Sequence, residues 1–370
     1  MKKVLAVTTN FGFGPVSKLC AILKGILKKY GDQVEVTYYG SGESLNFIRR
    51  NLGDSVLYEY ADSDSVEEKM FDSFIDGSEF NLLVNVMNLN IIKMMSNLSI
   101  KNIFVDSLNW MWPESIEGID CCDMYIIQNC FLEQGNKGKN ANEVIVNPIL
   151  DLDFPAGIVQ KKSKNIILIN FSGIITPDNK DNFFIEYVSY YLNIFSEISV
   201  IERYKVICAC NSKQLEYLKN LKFEDIDIVF TELTHEKFLE IARVASKIFS
   251  TPGLTFYLES RVLDIDVYYL LPSNYSQALL MERYRREGIR CNSLSSFGGE
   301  YTLKERMDES AGVVKVRKNF SKIKRKFFKQ IKEDMFNYIV SNSRGGIQNK
   351  AMKADGVTQI LNKLSNKDLL

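Results

Sequence analysis

Val4-Leu5-Ala6-Val7-Thr8-Thr9-Asn10-Phe11-Gly12-Phe13-Gly14-Pro15 stands near the start of the chain, and its reading decides the fold. An unbroken apolar run of this kind suits a strand buried on both faces, as in a parallel sheet. Two glycines then let the backbone turn tightly, and Pro15 fits the first turn of a helix, where its missing N–H is not needed. Over residues 17–29, Leu19, Ile22, Leu23, Ile26 and Leu27 recur at helical spacing before Gly31-Asp32 ends the run. Residues 34–38 follow as a second strand. Strand, crossover helix and strand make a βαβ unit.

The same rhythm continues outward. Residues 82–86, 102–105, 124–128 and 144–146 are rich in Val, Ile and Leu and read as further strands of one doubly wound sheet. Between Asn147-Pro148 and Lys164 the pattern lapses, and Pro148, Pro155, Gly157 and several lysines mark a linker. The pattern then restarts. Residues 165–171, 204–208, 226–230, 247–250 and 266–271 read as strands, with helices over 183–195, 212–221, 236–246 and 255–262. The expected fold class is therefore α/β, with two Rossmann-like doubly wound domains and C-terminal helices. Their expected extents are residues 1–150, 163–312 and a helical tail over 313–370. Within that tail, residues 315–340 read as one long basic amphipathic helix carrying Phe320, Ile323, Phe327, Ile331, Met335 and Ile339 on its apolar face. Docking on its own protein is preferred to an anionic membrane as the partner of that face.

Composition narrows the function classes. Lys plus Arg and Asp plus Glu number 46 each, so no whole-protein field draws in nucleic acid or anionic lipid. Seven cysteines, an odd count, accompany an N-terminus that runs from Met1-Lys2-Lys3 straight into a strand. That combination predicts a reducing, cytoplasmic setting without a secretory signal. No apolar run approaches the length of a membrane span. Asp151-Leu152-Asp153 and Asp264-Ile265-Asp266 read as solvated turn residues rather than metal ligands, so neither metal nor cofactor is expected.

Two loops have the makings of a ligand site. Gly12, Phe13 and Gly14 lead into a helix N-terminus, whose free N–H groups suit an anion. The dinucleotide fingerprint fails there, because its third glycine would fall on Ser17 and no acid ends the second strand. Taken alone, this loop reads equally well as a tight strand-to-helix turn. The second loop is Ser250-Thr251-Pro252-Gly253-Leu254-Thr255-Phe256-Tyr257-Leu258-Glu259. Gly253 permits close approach of the backbone, and Glu259 is placed where a carboxylate accepts hydrogen bonds from a ribose diol. Spacing alone favours reading Glu259 as an exposed helix glutamate.

This second segment resembles the donor-binding motif of GT-B glycosyltransferases, a small-residue turn with a glycine followed six residues later by glutamate. Gly253 and Glu259 match it. The resemblance implies that Thr251, Pro252, Gly253, Leu254 and Thr255 hold the diphosphate of a nucleotide-sugar donor and that Glu259 binds its ribose. Pro272-Ser273-Asn274-Tyr275-Ser276-Gln277 resembles the stretch that touches the donor sugar, with Gln277 matching, and Phe171-Ser172-Gly173 resembles the loop facing the phosphates. Two positions depart from the family: Thr251 stands where many relatives have histidine, and Phe256 where a hydroxyl residue often meets phosphate. Within the fold, Phe11-Gly12-Phe13-Gly14 through Ser17-Lys18-Leu19, Val105-Asp106-Ser107-Leu108-Asn109-Trp110-Met111-Trp112, and Leu271-Pro272 through Gln277 are similar to cytosylglucuronate-synthase-like proteins. That similarity implies a UDP-linked donor such as UDP-glucuronate, a small acceptor such as a nucleobase, and metal-independent transfer.

Transfer with inversion needs a base and a means of stabilising the departing diphosphate. Asp106, at the end of a first-half strand, is the candidate base, and Trp110 with Trp112 offers a flat wall for a ring acceptor. The alternative is that Asp106 caps the next turn and the indoles are core. His235, the only histidine, reads as an exposed helix-start residue. Two other functions fit the same architecture: a sugar-nucleotide 2-epimerase, which normally calls for several histidines, and a catalytically silent nucleotide-sugar binding partner.

Overall fold

The structure, a computed structural model, describes residues 1–10, 12–60, 71, 74–75, 79–94, 100–111, 116–131, 142–152, 165–174, 183–219, 226–303, 307–341 and 352–370. The chain divides into two compact units, one formed by residues 1–153 and 353–370 and the other by residues 154–352.

The first unit is built in the order β1 (Lys2–Thr8), α1 (Phe13–Tyr30), β2 (Val34–Gly40), α2 (Gly42–Leu52), β3 (Leu57–Tyr60), β4 (Leu82–Val86), α3 (Leu89–Met94), β5 (Lys101–Asp106), β6 (Met124–Gln128) and β7 (Glu143–Val146). Its strands form one sheet, all pairs parallel, in the order β3-β2-β1-β4-β5-β6-β7. Residues 4–7 are fully buried, as their unbroken apolar run requires when helices cover both faces. Sequence reading missed β3. It is a short edge strand whose residues are mostly exposed, so it carries no apolar run to find.

The second unit runs β8 (Ile166–Asn170), α4 (Phe183–Ser196), β9 (Lys205–Ala209), α5 (Ser212–Leu218), β10 (Ile228–Thr231), α6 (His235–Val244), β11 (Lys247–Ser250), α7 (Leu254–Val262), β12 (Tyr268–Tyr269), α8 (Tyr275–Arg286), α9 (Glu309–Lys326) and α10 (Phe328–Val340). Its five parallel strands are ordered β10-β9-β8-β11-β12. Aromatic residues fill much of the core: Tyr187 stacks on Phe320 with centroids 5.1 Å apart, and Phe249 meets Tyr338 edge-on at 5.1 Å. The basic stretch expected as one helix is therefore two, α9 and α10, broken at Phe327. Apolar spacing runs unchanged across a break and so does not register it. Phe320, Ile323, Ile331, Met335 and Ile339 are all buried in this unit's core, while the half-buried Phe327 ring packs on Phe297.

The tail returns to the first unit. There α11 (Gly356–Asn366) buries Ile360 and Leu364 in the same core as α1. Residues 153–164 of the expected linker lie outside the described residues, whereas its beginning is packed: Ile149 and Leu150 are buried. Asp151, expected to be a solvated turn residue, instead pairs with Lys24 Nζ at 2.6 Å and keeps only 10% of its side chain exposed. Among the described residues, no helix is long and apolar enough to cross a membrane.

Both sheets reverse their strand order once, between β1 and β4 in the first unit and between β8 and β11 in the second. Chains leaving two such neighbours run to opposite faces, opening a crevice beyond the carboxyl ends of the strands. These two edges are where ligands are to be sought.

Gly356 begins α11 directly against the backbone carbonyl of Asn147, which an added Cβ would strike. Gly356→Ala is expected to cost about 1–3 kcal/mol through overpacking. The measurement is hydrogen exchange over residues 356–366, which should quicken; unchanged protection would mean the helix is held elsewhere.

Candidate functional site

In the second unit, Ser250 of β11 lies opposite Asn170 of β8, so the loops leaving these two strands meet at the reversal. Asn170 ties them together. Its Nδ2 donates to Ser250 Oγ at 3.1 Å, and its Oδ1 accepts from the backbone N–H of Ser172 at 3.2 Å and from Ser172 Oγ at 2.5 Å. Thr251 Oγ1 donates to the Asn170 carbonyl at 3.3 Å, which turns this hydroxyl into the sheet. Gln214 secures the loop from behind, donating to the carbonyls of Phe171 and Ile174 at 3.1 and 2.9 Å. Ser172, Gly173 and Thr251, chosen separately from sequence, are thus brought together. Asn170 and Gln214 were missed, since single amides at element ends carry no distinguishing pattern.

Gly253 caps the nine-residue α7 with extended backbone, φ −148° and ψ 131°, and no side chain caps this helix. Its first turn holds no acidic residue. A Cβ at Gly253 would meet nothing within 4 Å. Neither backbone conformation nor packing demands glycine here, and the space beside its Cα is open. Leu254 and Thr255 are buried within the first turn.

Glu259, one turn further along, is 2% exposed, and its Oε1 lies 2.7 Å from His235 Nε2. This corrects the reading of His235 as an exposed helix-start residue: its side chain keeps only 10% of its surface. Glu259 is likewise no exposed helix glutamate. One turn from the pair, Phe238 of α6 meets Phe256 of α7 edge-on at 5.0 Å. Phe256, which departs from the family pattern, therefore clamps one helix against the other. At the next loop along the edge, Gln277 Oε1 accepts from the N–H and Oγ of Ser273 at 2.8 and 2.9 Å. Asn274 Oδ1 accepts from the Gln277 N–H at 2.9 Å and caps α8. The loops after β8, β11 and β12 thus line one edge of the sheet.

In the first unit, Gly12 caps α1 at φ 71°, a left-handed conformation that favours glycine. Phe13 rests on Phe47 with ring centroids 5.5 Å apart. The Gly14 carbonyl accepts from Nζ of Lys18, a lysine only 1% exposed, at 3.4 Å. At the end of β5, Asp106 is fully buried: Oδ1 accepts from the Leu108 N–H at 2.7 Å, and Oδ2 accepts from Tyr125 OH at 2.8 Å. Both oxygens of the expected base are therefore engaged in holding the turn that follows. Burial, then the charge and hydrogen bond of Asp106, raise the Tyr125 hydroxyl far above its ordinary pKa, so Tyr125 keeps its proton for this bond. Trp110 donates from Nε1 to the Ser107 carbonyl at 3.2 Å and meets Phe131 edge-on. Phe11 and Trp112 lie outside the described residues. Met87, just past β4 at the strand reversal, holds φ 62° with its sulfur 3.3 Å from the Ser107 N–H. Such a backbone costs a non-glycine residue about 1–3 kcal/mol, and no sequence signal announces it.

No protein-family model matches this chain, and no curated protein matches it in sequence. Solved structures do resemble it. The spinosyn rhamnosyltransferase SpnG complexed with thymidine diphosphate superposes with a TM-score of 0.57 at 11% identity, over 99% of this chain and 100% of that one. S. aureus MnaA with UDP gives 0.55 at 12% identity, over 100% and 98%. Arabidopsis thaliana UGT89C1 with UDP-L-rhamnose gives 0.54 at 12% identity, covering both chains in full. At such identities the likeness establishes the fold, two parallel-sheet α/β domains of GT-B type.

Tyr125→Phe would leave a buried Asp106 oxygen short of one partner. A loss of about 1–3 kcal/mol is expected, measured as the shift in the urea transition of the first unit. No shift would mean that the bond contributes nothing to the turn.

Proposed function

We propose that this chain is a glycosyltransferase that takes its sugar from a nucleoside-diphosphate donor, most suitably a UDP-sugar such as UDP-glucuronate. The observation that carries the reading is the edge at the β8–β11 reversal. There, a glycine needed by neither conformation nor packing opens an uncapped helix, and a buried glutamate stands one turn further along. The N–H groups opening α7 form the positive end of the helix dipole, which suits the donor's diphosphate and its charge on departure. Thr255 and the Ser172-Gly173 loop complete the phosphate cradle, Glu259 takes the ribose, and Gln277 lies toward the sugar. The complexes of SpnG with thymidine diphosphate, of MnaA with UDP and of UGT89C1 with UDP-L-rhamnose support a nucleotide-sugar donor on this fold.

The acceptor belongs to the first unit, against Gly12, Phe13, Gly14 and Trp110. A small planar acceptor such as a nucleobase suits the Trp110 face. A ring nitrogen that gives up its proton readily asks little of a base, and Asp106 then acts by fixing the turn that carries Trp110. The engaged state of Asp106 also favours a second reading, a nucleotide-sugar binding protein without turnover. Incubation with a panel of UDP-sugars, with and without cytosine, separates the two. Acceptor-dependent release of UDP supports transfer; tight binding without release under any acceptor supports the silent partner; interconversion of the sugar alone supports an epimerase.

Two variants probe the donor site. Glu259→Ala is expected to weaken UDP binding by about 1–3 kcal/mol, the worth of a hydrogen bond to a charged group; calorimetry showing unchanged affinity would remove the ribose role. Gly253→Val should lower folding stability by no more than a poorer N-cap costs, about 1 kcal/mol, while UDP affinity falls at least tenfold. A larger loss of stability together with affinity would return Gly253 to a structural role.

A further inference from the structure

His235 is the only histidine of the chain, and the transfer chemistry above makes no use of it. Its surroundings are nevertheless specific. The imidazole opens α6, keeps 10% of its side chain exposed, and lies 2.7 Å from the carboxylate of a glutamate that is 2% exposed. The two atoms lie at hydrogen-bond distance, and with the carboxylate as acceptor it is Nε2 that donates. The Phe238–Phe256 contact fixes the spacing of α6 and α7 one turn away, so the pair does not depend on two flexible side chains finding each other.

We propose that His235 is a positioning residue that makes the donor site select a ribonucleoside over a deoxyribonucleoside. Held by His235, the Glu259 carboxylate waits in one orientation, and a ribose diol finds its acceptor in place. A sugar lacking those hydroxyls desolvates the same carboxylate and gives nothing back, the asymmetry that lets a buried polar group reject an analogue missing one hydroxyl. Removing the imidazole frees the carboxylate to turn toward other partners, and the preorganisation behind that rejection is lost. The inference rests on the proposed contact between Glu259 and the donor ribose.

The test is calorimetric titration of the full chain with UDP, with 2′,3′-dideoxy-UDP and with inorganic pyrophosphate. It is carried out on the natural protein, on His235→Ala, His235→Gln and Glu259→Ala, and on the Ala/Ala double variant. The natural protein should prefer UDP over its dideoxy analogue by about tenfold or more, the value of a hydrogen bond to a charged acceptor. In His235→Ala the two ligands should come within about threefold of each other, while pyrophosphate binding stays as it was. His235→Gln, whose amide N–H reaches the position of Nε2, should restore the preference. Added to Glu259→Ala, the His235→Ala change should do nothing further. A His235→Ala protein that keeps the full preference overturns the inference and leaves the donor site standing. A natural protein that binds no UDP, or a Glu259→Ala variant that still prefers ribose, overturns the donor-site reading and this inference with it. If His235→Ala does not fold, the single histidine signal in the proton NMR spectrum of the natural protein decides. It should move on addition of UDP and stay in place with pyrophosphate; an unmoved signal under UDP overturns the inference.

Discussion

Ser250 faces Asn170 across the parallel pairing of β11 with β8, and the whole edge at this strand reversal depends on that register. Side chains alternate along a strand, so a slip of one residue would turn Asn170 away from Ser250 and uncouple the loops that leave the two strands. The register is held by burial. Ile167, Leu168 and Ile169 on one strand and Ile248 and Phe249 on the other are at most 1% exposed, so the strands cannot slide without moving a row of core side chains. The loops inherit their positions from that row. A single asparagine then converts strand alignment into loop alignment through bonds to both sides.

The first unit repeats the plan with different chemistry. At its reversal the polar groups are used up internally. The Asn85 side chain bonds to both the carbonyl and the N–H of Asn88, the Asn88 side chain caps α3, and Asp106 serves Leu108 and Tyr125. What remains presented is aromatic: Phe13 and Trp110 are only half-buried. Both units open a helix without a side-chain cap, at Gly12 and at Gly253, and both bury a carboxylate near the reversal, Asp106 and Glu259.

Much of this was legible in the sequence because parallel strands buried on both faces are written as plain apolar runs. Residues 82–86, 124–128 and 247–250 coincide with strands residue for residue. The glycine-to-glutamate spacing was legible for a similar reason, since it lies within one short segment. His235 was not. Its significance is a contact across 24 positions between two helices, and helix-start histidines look alike whether they face water or a carboxylate. Asp106 was found at the right strand end, yet the occupants of its two oxygens come from residues 108 and 125, and only the folded chain reveals both. The division of residues 315–340 at Phe327 escaped because a bend between helices leaves apolar spacing intact.

The first unit is discontinuous in the chain: its last helix, α11, comes after the entire second unit. On the ribosome, residues 1–153 therefore emerge with one flank of α1 uncovered, and Gly25 and its neighbours wait for Val357 and Leu361. At about 5–20 residues per second, synthesis of the intervening segment takes roughly 10–40 s. For that interval the nascent first unit shows an apolar flank that a chaperone can recognise.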